Sequence, residues 1–185
     1  MYKGLVPALL VVLFLSGSAG GTEPQASREY QKANDLAAGR KYQDAIALYR
    51  KVLADPPAKV PVGDIHTRIG DACFKLADYR CALDSYRKAV RDPRLADKAQ
   101  TQYWIGFCSF LLGRDAEAVD ELLKVTALYP DSKVWGATSY YWAGRASERM
   151  GKKEQAAEYY RRAGGNGKST QGKFAMKKAT EAEKK

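Results

Sequence analysis

A small residue that recurs at a nearly fixed interval constrains the fold of this chain more than any other feature. Ala33, Gly70, Gly106 and Gly144 follow one another at intervals of 37, 36 and 38 residues. Each is followed by an alanine after twelve residues, by a large residue four positions later, and by a small one three positions after that. These positions are Ala45, Tyr49 and Val52; Ala82, Tyr86 and Ala89; Ala118, Leu122 and Val125; and Ala156, Tyr160 and Ala163. Four copies in phase predict an α-helical solenoid of about four repeats over residues 22–165.

The three glycines lie in stretches that are otherwise typical of helices, such as SYYWAGRASERMG around Gly144. Glycine inside a helix costs roughly 0.5–1 kcal/mol relative to alanine, so its presence indicates a packing constraint. We expect the small residues to let the two helices of each repeat approach closely, with the large residue filling the space beside that contact. A single helix pair cannot bury its apolar face, so the repeats must stack on one another.

The rest of the chain fits an all-α fold, because no segment alternates polar and apolar residues as strands do. Pro57, Pro93 and Pro130 follow the expected end of the second helix in the first three repeats. After the fourth repeat, residues 166–185 are predicted to form a linker and a basic C-terminal helix.

The repeated small and large positions, together with these prolines, resemble the tetratricopeptide-repeat (TPR) family. The resemblance implies a right-handed solenoid that acts as a non-enzymatic scaffold for protein partners. The repeats are longer than the roughly 34 residues of a standard TPR. This extra length and the YPDS sequence at 129–132 resemble repeats of bacterial envelope proteins, such as the Tol-Pal coordinator CpoB and the assembly factor BamD.

The resemblance also implies a concave groove lined by the first helix of each repeat. Its side chains would stand three residues before, one after, and four and five after the small position. Carried onto this chain, the positions are Tyr30, Asn34, Ala37 and Ala38; Thr67, Asp71, Phe74 and Lys75; Tyr103, Phe107, Phe110 and Leu111; and Tyr141, Arg145, Glu148 and Arg149.

Aromatic and arginine side chains often dominate protein interfaces, so the aromatic middle of the groove is expected to be the main contact. Tyr103 and Tyr141 are expected to be exposed there, since their hydroxyls suit a wet surface. The residues expected to bind a partner are Tyr30, Asn34, Asp71, Phe74, Lys75, Tyr103, Phe107, Phe110, Tyr141, Arg145 and Arg149. The alternative is that Phe107 and Phe110 are buried between adjacent repeats. TPR proteins that clamp a C-terminal carboxylate pair a lysine with an asparagine, and Tyr30 replaces that lysine here.

The first 21 residues have the pattern of a secretory signal peptide, with Lys3 before an apolar run and the small residues SGSAGG after it. The run at 5–15 is shorter than the roughly 20 residues that span a bilayer. Cleavage after Ala19 or Gly21 is expected, with an uncleaved anchor as the alternative. The predicted location is therefore the bacterial periplasm or envelope.

Export would place the three cysteines in an oxidising compartment. Cys73 and Cys108 occupy inward helix positions, whereas the register of Cys81 directs it outward. The sequence therefore favours buried, unpaired thiols, and a Cys73–Cys81 disulfide remains the alternative.

The net charge of +10 is concentrated at the C-terminus, where residues 161–185 contain eight basic and two acidic side chains. One interpretation is a solvating cap on the last repeat, as solenoids require. The other is a structural accessory protein whose tail contacts an anionic surface, such as a membrane or a wall polymer. Nucleic acid is not an expected partner for an exported protein.

Catalytic residues are not recognisable in the sequence. GGNGKST at 164–170 lacks the glycine spacing of a phosphate-binding loop, and a single histidine, His66, cannot form a cluster. The sequence therefore predicts no enzymatic activity, no cofactor, no metal and no small-molecule substrate.

Overall fold

The computed structural model describes residues 25–165 and 170–184, and these residues contain nine α-helices and no strand. The predicted signal peptide and residues 166–169 of the predicted linker lie outside the described residues. The helices are α1 (Gln25–Ala38), α2 (Tyr42–Val52), α3 (Val62–Lys75), α4 (Tyr79–Ala89), α5 (Lys98–Leu111), α6 (Asp115–Leu128), α7 (Lys133–Arg149), α8 (Lys153–Gly164) and α9 (Thr170–Lys184).

The first eight helices form four antiparallel pairs, each corresponding to one repeat of the sequence. The second helix of each pair also packs on the first helix of the next repeat, and α9 packs on α8. The repeated alanines and large residues are the centre of these contacts, because Ala45, Tyr49, Ala118 and Leu122 are all fully buried. The predicted all-α solenoid with a C-terminal helix is confirmed.

Contact between helices explains the glycines. A Cβ atom on Gly106 would lie 2.6 Å from Leu122 Cγ and 2.9 Å from the Leu122 backbone nitrogen. A Cβ on Gly70 would lie 2.6 Å from Tyr86 Cε1, and one on Gly144 would lie 2.8 Å from Tyr160 Cδ1. The large residue therefore packs directly onto the glycine. The sequence pattern suggested instead that it fills the space beside the contact between the helices.

The turn between the two helices of each repeat has one residue in the left-handed region. These residues are Arg40, Ala77, Gly113 and Gly151, with φ between 58° and 74°. The next residue then donates a backbone hydrogen bond back into the first helix, as Arg114 N does to Ser109 O at 3.0 Å. This closes the end of the first helix and sets the direction of the second.

Cys73 and Cys81 form a disulfide, so the expectation of unpaired thiols at these positions is wrong. The turn before α4 folds the chain back on α3 and brings the two Cα atoms to 5.8 Å, within the range that a disulfide requires. Cys81 lies in the first turn of α4 and is half-buried, with its sulfur bonded to Cys73 of α3. Cys108 is a free, buried cysteine, and burial raises the pKa of its thiol to about 12.

Candidate partner-binding groove

The position that follows the small residue holds a hydrogen-bond acceptor in the first two repeats. The Tyr49 hydroxyl donates to Asn34 Oδ1 at 2.8 Å, and the Tyr86 hydroxyl donates to Asp71 Oδ1 at the same distance. Each tyrosine is the large residue of its own repeat, so the two polar groove residues are fixed by the core beneath them.

The third and fourth repeats do not have this hydrogen bond between the large residue and the residue that follows the small position. In the third, Leu122 replaces the tyrosine and Phe107 replaces the acceptor, so neither member of the pair is left without its partner. In the fourth, the Tyr160 hydroxyl donates to Glu148 Oε2 at 2.8 Å.

Asp71 lies in an environment with opposing electrostatic effects. Burial raises the pKa of its carboxyl group, while the hydrogen bond from Tyr86 and the positive charges of Arg68 and Lys75 act in the opposite direction. Because Arg68, Asp71 and Lys75 are three and four residues apart on α3, they share one face of that helix.

An open pocket of 460 Å³ lies between the first and second repeats, and we call it the N-terminal pocket. Its lining consists of Asn34, Ala37, Ala38, Tyr42, Tyr49, Arg68, Asp71, Ala72 and Lys75. Five of these are positions that the sequence assigned to the groove: Asn34, Ala37, Ala38, Asp71 and Lys75. The space exists because the first repeat has two alanines where the other repeats have larger side chains.

Sequence reasoning missed four residues of this pocket, namely Tyr42, Tyr49, Arg68 and Ala72. Arg68 was detectable, since its helical spacing from Asp71 and Lys75 places it on the same face. Tyr42 begins α2 and belongs to the second helix of the repeat, which the sequence did not assign to the groove.

The aromatic side chains in the middle of the expected groove pack against other aromatic side chains. Tyr103 is only 5% exposed and Phe110 only 7%, so their expected exposure is wrong. The Tyr103 ring lies 5.0 Å from that of Trp135, and the Phe110 ring lies 5.0 Å from that of Trp142. The alternative of burial between adjacent repeats is correct for Phe110.

Two further aromatic residues of the groove are half-buried and continue this packing. The Phe107 ring lies 4.6 Å from Trp142, and the Phe74 ring lies 5.0 Å from Trp104. These ring contacts join the second repeat to the third and the third to the fourth. Tyr30 is half-buried, with its ring 6.0 Å from that of Tyr49.

The arginines expected at the far end of the groove are engaged within the molecule. Arg149 forms an ion pair with Asp115, donates through Nη2 to the Phe110 carbonyl at 2.7 Å, and lies 3.8 Å above the Phe110 ring. It therefore ties the fourth repeat to the third. Arg145 lies 3.9 Å from Glu148 and 5.9 Å from the Trp142 ring.

Tyr141 is half-buried at the same end of the groove. Its ring lies 5.8 Å from that of Tyr160 and 6.0 Å from that of Phe174 on α9. Its expected exposure is thus only partly met, since the C-terminal helix covers one side of it.

Within residues 25–165 and 170–184, no group of three or more His, Cys, Asp and Glu side chains could hold a metal ion. His66 is half-buried on α3, where burial and the charge of Lys88 lower its pKa. In the same part of the chain, no helix combines the length and the apolar character needed to cross a membrane.

Comparison with known proteins agrees with this geometry. Two tetratricopeptide-repeat family models match residues 100–132 and 137–163. A sequence comparison with curated proteins gave no significant match.

Several solved structures share the fold. A MamA crystal structure is 24% identical with a TM-score of 0.59, over 82% of this chain and 94% of its own. MamA of Desulfovibrio magneticus RS-1 is 16% identical with a TM-score of 0.62, over 88% and 96%. YrrB, described as a TPR protein with an unusual peptide-binding site, is 22% identical with a TM-score of 0.65, over 87% and 75%. Residues 100–132 and 137–163 are therefore tetratricopeptide repeats, and the whole described chain has the fold of a tetratricopeptide-repeat protein.

Proposed function

We propose that the chain is a non-enzymatic scaffold of the bacterial cell envelope that binds a segment of a protein partner in the N-terminal pocket. The observation that carries this proposal is the convergence of five expected groove positions on one open pocket. The fold is one that serves protein–protein interaction, and the similar protein YrrB is described as having a peptide-binding site.

The chemistry of the pocket suits one inserted side chain of an extended segment. Ala37, Ala38 and Ala72 provide apolar surface, and Arg68 and Lys75 provide donors around the single carboxylate of Asp71. The hydrogen bonds from Tyr49 and Tyr86 hold Asn34 and Asp71 in place before a partner arrives, which reduces the entropy lost on binding.

The envelope location rests on the signal-peptide pattern of residues 1–21, and the Cys73–Cys81 disulfide supports an oxidising compartment. The protein recovered from an envelope fraction should begin at Gly20 or Thr22 when its N-terminus is sequenced. Recovery of an uncleaved chain from the cytoplasm alone would reject this location.

A photo-crosslinking residue in place of Ala38 tests the pocket directly. Ala38 is exposed at the end of α1, so the replacement should place the reactive group at the pocket without disturbing the core. We expect specific protein bands to be captured in envelope extracts, and capture to fall at least about tenfold in Arg68→Glu and Lys75→Glu variants.

Two controls accompany this experiment. The same crosslinker in place of Ala116, an exposed residue on α6, should not capture the same bands. Lys88→Glu, which changes an exposed lysine on α4 outside the pocket, should leave capture from position 38 unchanged. Unchanged capture in both Arg68→Glu and Lys75→Glu, with circular dichroism showing intact helices, would reject the pocket as the recognition surface.

A further inference from the structure

Two open hollows meet at the disulfide between Cys73 and Cys81, and both are formed between α2, α3 and α4. The first has a volume of 310 Å³, and its lining includes Arg50, Cys81 and Lys88. The second has a volume of 320 Å³ and is also lined by Arg50 and Cys81, with Cys73 in addition. Neither hollow shares a lining residue with the N-terminal pocket. The bridge is therefore bordered by space of the size that a small molecule occupies.

The two cysteines of the bridge differ in how a reactant can reach them. Cys73 is only 1% exposed and belongs to the apolar core cluster that also contains Cys108. Cys81 is half-buried and lines the first hollow, whereas Cys73 does not line it. A reactant in the first hollow therefore meets Cys81 and not Cys73.

The surroundings of Cys81 carry more positive than negative charge. Arg50 Nη2 lies 3.9 Å from Cys81 Sγ, and within residues 25–165 and 170–184 this guanidinium forms no ion pair. Lys88 adds a second positive charge to the first hollow, against the carboxylate of Asp84 in the same lining. An anionic reactant is therefore favoured over a neutral or a cationic one.

We propose that Cys81 undergoes reversible thiol–disulfide exchange with a small thiol that carries carboxylate groups. The thiolate of this reactant attacks Cys81 Sγ from the first hollow, and the bond between the two cysteine sulfurs breaks. A new disulfide joins the reactant to Cys81. The electron pair of the broken bond stays on Cys73 Sγ, which takes a proton from water. The reactant sulfur is oxidised and that of Cys73 is reduced, so the exchange needs no other oxidant or reductant.

Both the attack and its product suit these surroundings. Negative charge is shared among three sulfur atoms during the exchange, and Arg50 is close enough to stabilise it. The released Cys73 stays in the apolar core, where a protonated thiol behaves as a small apolar residue, as that of Cys108 does. Exchange thus opens the covalent link between α3 and α4 and leaves the reactant attached to α4. This reaction is separate from partner binding in the N-terminal pocket.

The first test maps which sulfur is attacked, with reduced glutathione as the probe and the oxidised full chain as the substrate. The reaction is stopped with acid, and free thiols are labelled with N-ethylmaleimide in denaturant before peptide mass spectrometry. We expect glutathione on Cys81 and maleimide on Cys73 and Cys108. Glutathione adducts on Cys81 should outnumber those on Cys73 at least about tenfold.

The second test measures the preference for an anionic thiol. Glutathione carries carboxylates, whereas cysteamine carries only a positive charge. The ratio of their initial rates of bridge opening should be about fivefold higher for the folded protein than for the same protein unfolded in urea. Arg50→Gln should remove most of this difference. Arg28→Gln, which removes the charge of an exposed arginine on α1, should leave it unchanged. Circular dichroism establishes that both variants are folded.

Equal glutathione labelling of Cys73 and Cys81 would overturn the proposal, and so would adducts that form only in urea. A ratio of rates that is the same for folded and unfolded protein, or the same for Arg50→Gln and wild type, would also overturn it. None of these outcomes bears on the N-terminal pocket, which Ala38 crosslinking tests independently.

Discussion

At the scale of single residues, two helical glycines with different surroundings give a matched pair of mutations. Gly106→Ala places a Cβ 2.9 Å from a backbone nitrogen and 2.6 Å from Leu122 Cγ, so the helices must separate. Gly136→Ala meets only Thr126 Cγ2, at 3.5 Å. We expect Gly106→Ala to lower the free energy of unfolding by about 1–3 kcal/mol. Gly136→Ala should be neutral or raise it by up to about 1 kcal/mol, because alanine favours the helix.

Urea denaturation of both variants and wild type measures these changes. If Gly106→Ala unfolded at the same urea concentration as wild type, the close contact between α5 and α6 would not be the reason for this glycine.

The same scale separates what the sequence predicts well from what it does not. The contacts of Gly70, Gly106 and Gly144 lie within one repeat, so spacing along the chain is enough to find them. The burial of Tyr103 depends on Trp135, which comes from the next repeat, and the spacing within one repeat carries no information about it. Position within a repeat thus placed five of the expected groove residues around one open pocket, but it did not predict which of the aromatic residues are buried by the neighbouring repeat.

At the scale of elements, the Cys73–Cys81 disulfide joins the two helices of the second repeat. The bridge closes a short loop, with a sequence separation of 8, and a loop of this length stabilises the fold by about 2.5 kcal/mol in the chain-entropy model. We expect Cys81→Ser to lower the free energy of unfolding by roughly this amount. Urea unfolding with and without a reductant measures the effect.

Wild type in reductant should unfold together with Cys81→Ser, since both then lack the bridge. Intact mass spectrometry of the oxidised protein after alkylation under denaturing conditions should find one reactive thiol, that of Cys108. Three reactive thiols in protein purified from the envelope would contradict the pairing.

The sequence did not settle this disulfide, because its formation depends on a turn and not on a helical register. Cys81 is placed by the residues between α3 and α4, where Ala77 adopts a left-handed conformation and the Asp78 side chain accepts a hydrogen bond from the Cys81 backbone nitrogen. The helical register of Cys81 alone indicated an outward direction. The same limit affects Tyr42, which begins α2 directly after the equivalent turn of the first repeat.

At the scale of the whole molecule, the stability of each repeat depends mainly on the repeats next to it, because helices contact mainly their neighbours in the chain. Each repeat packs mainly on its neighbours, so in a solenoid the loss of one end weakens the adjacent repeat first. Deleting residues 166–185 would remove Ala179 and Ala182, which cover Ala156, Ala157 and Tyr160 of α8. The effect should then decay toward the N-terminal pocket, because α1 to α4 do not share that cluster.

Hydrogen–deuterium exchange can test this decay in the deletion variant. Amides of α8 should exchange at least about tenfold faster than in wild type, while those of α1 to α4 change by less than about twofold. Crosslinking from position 38 should persist, since the pocket that it reports on remains folded. Uniformly faster exchange in all helices would show instead that the four repeats unfold as one cooperative unit. Loss of crosslinking with α1 to α4 still protected would place partner recognition in the C-terminal tail.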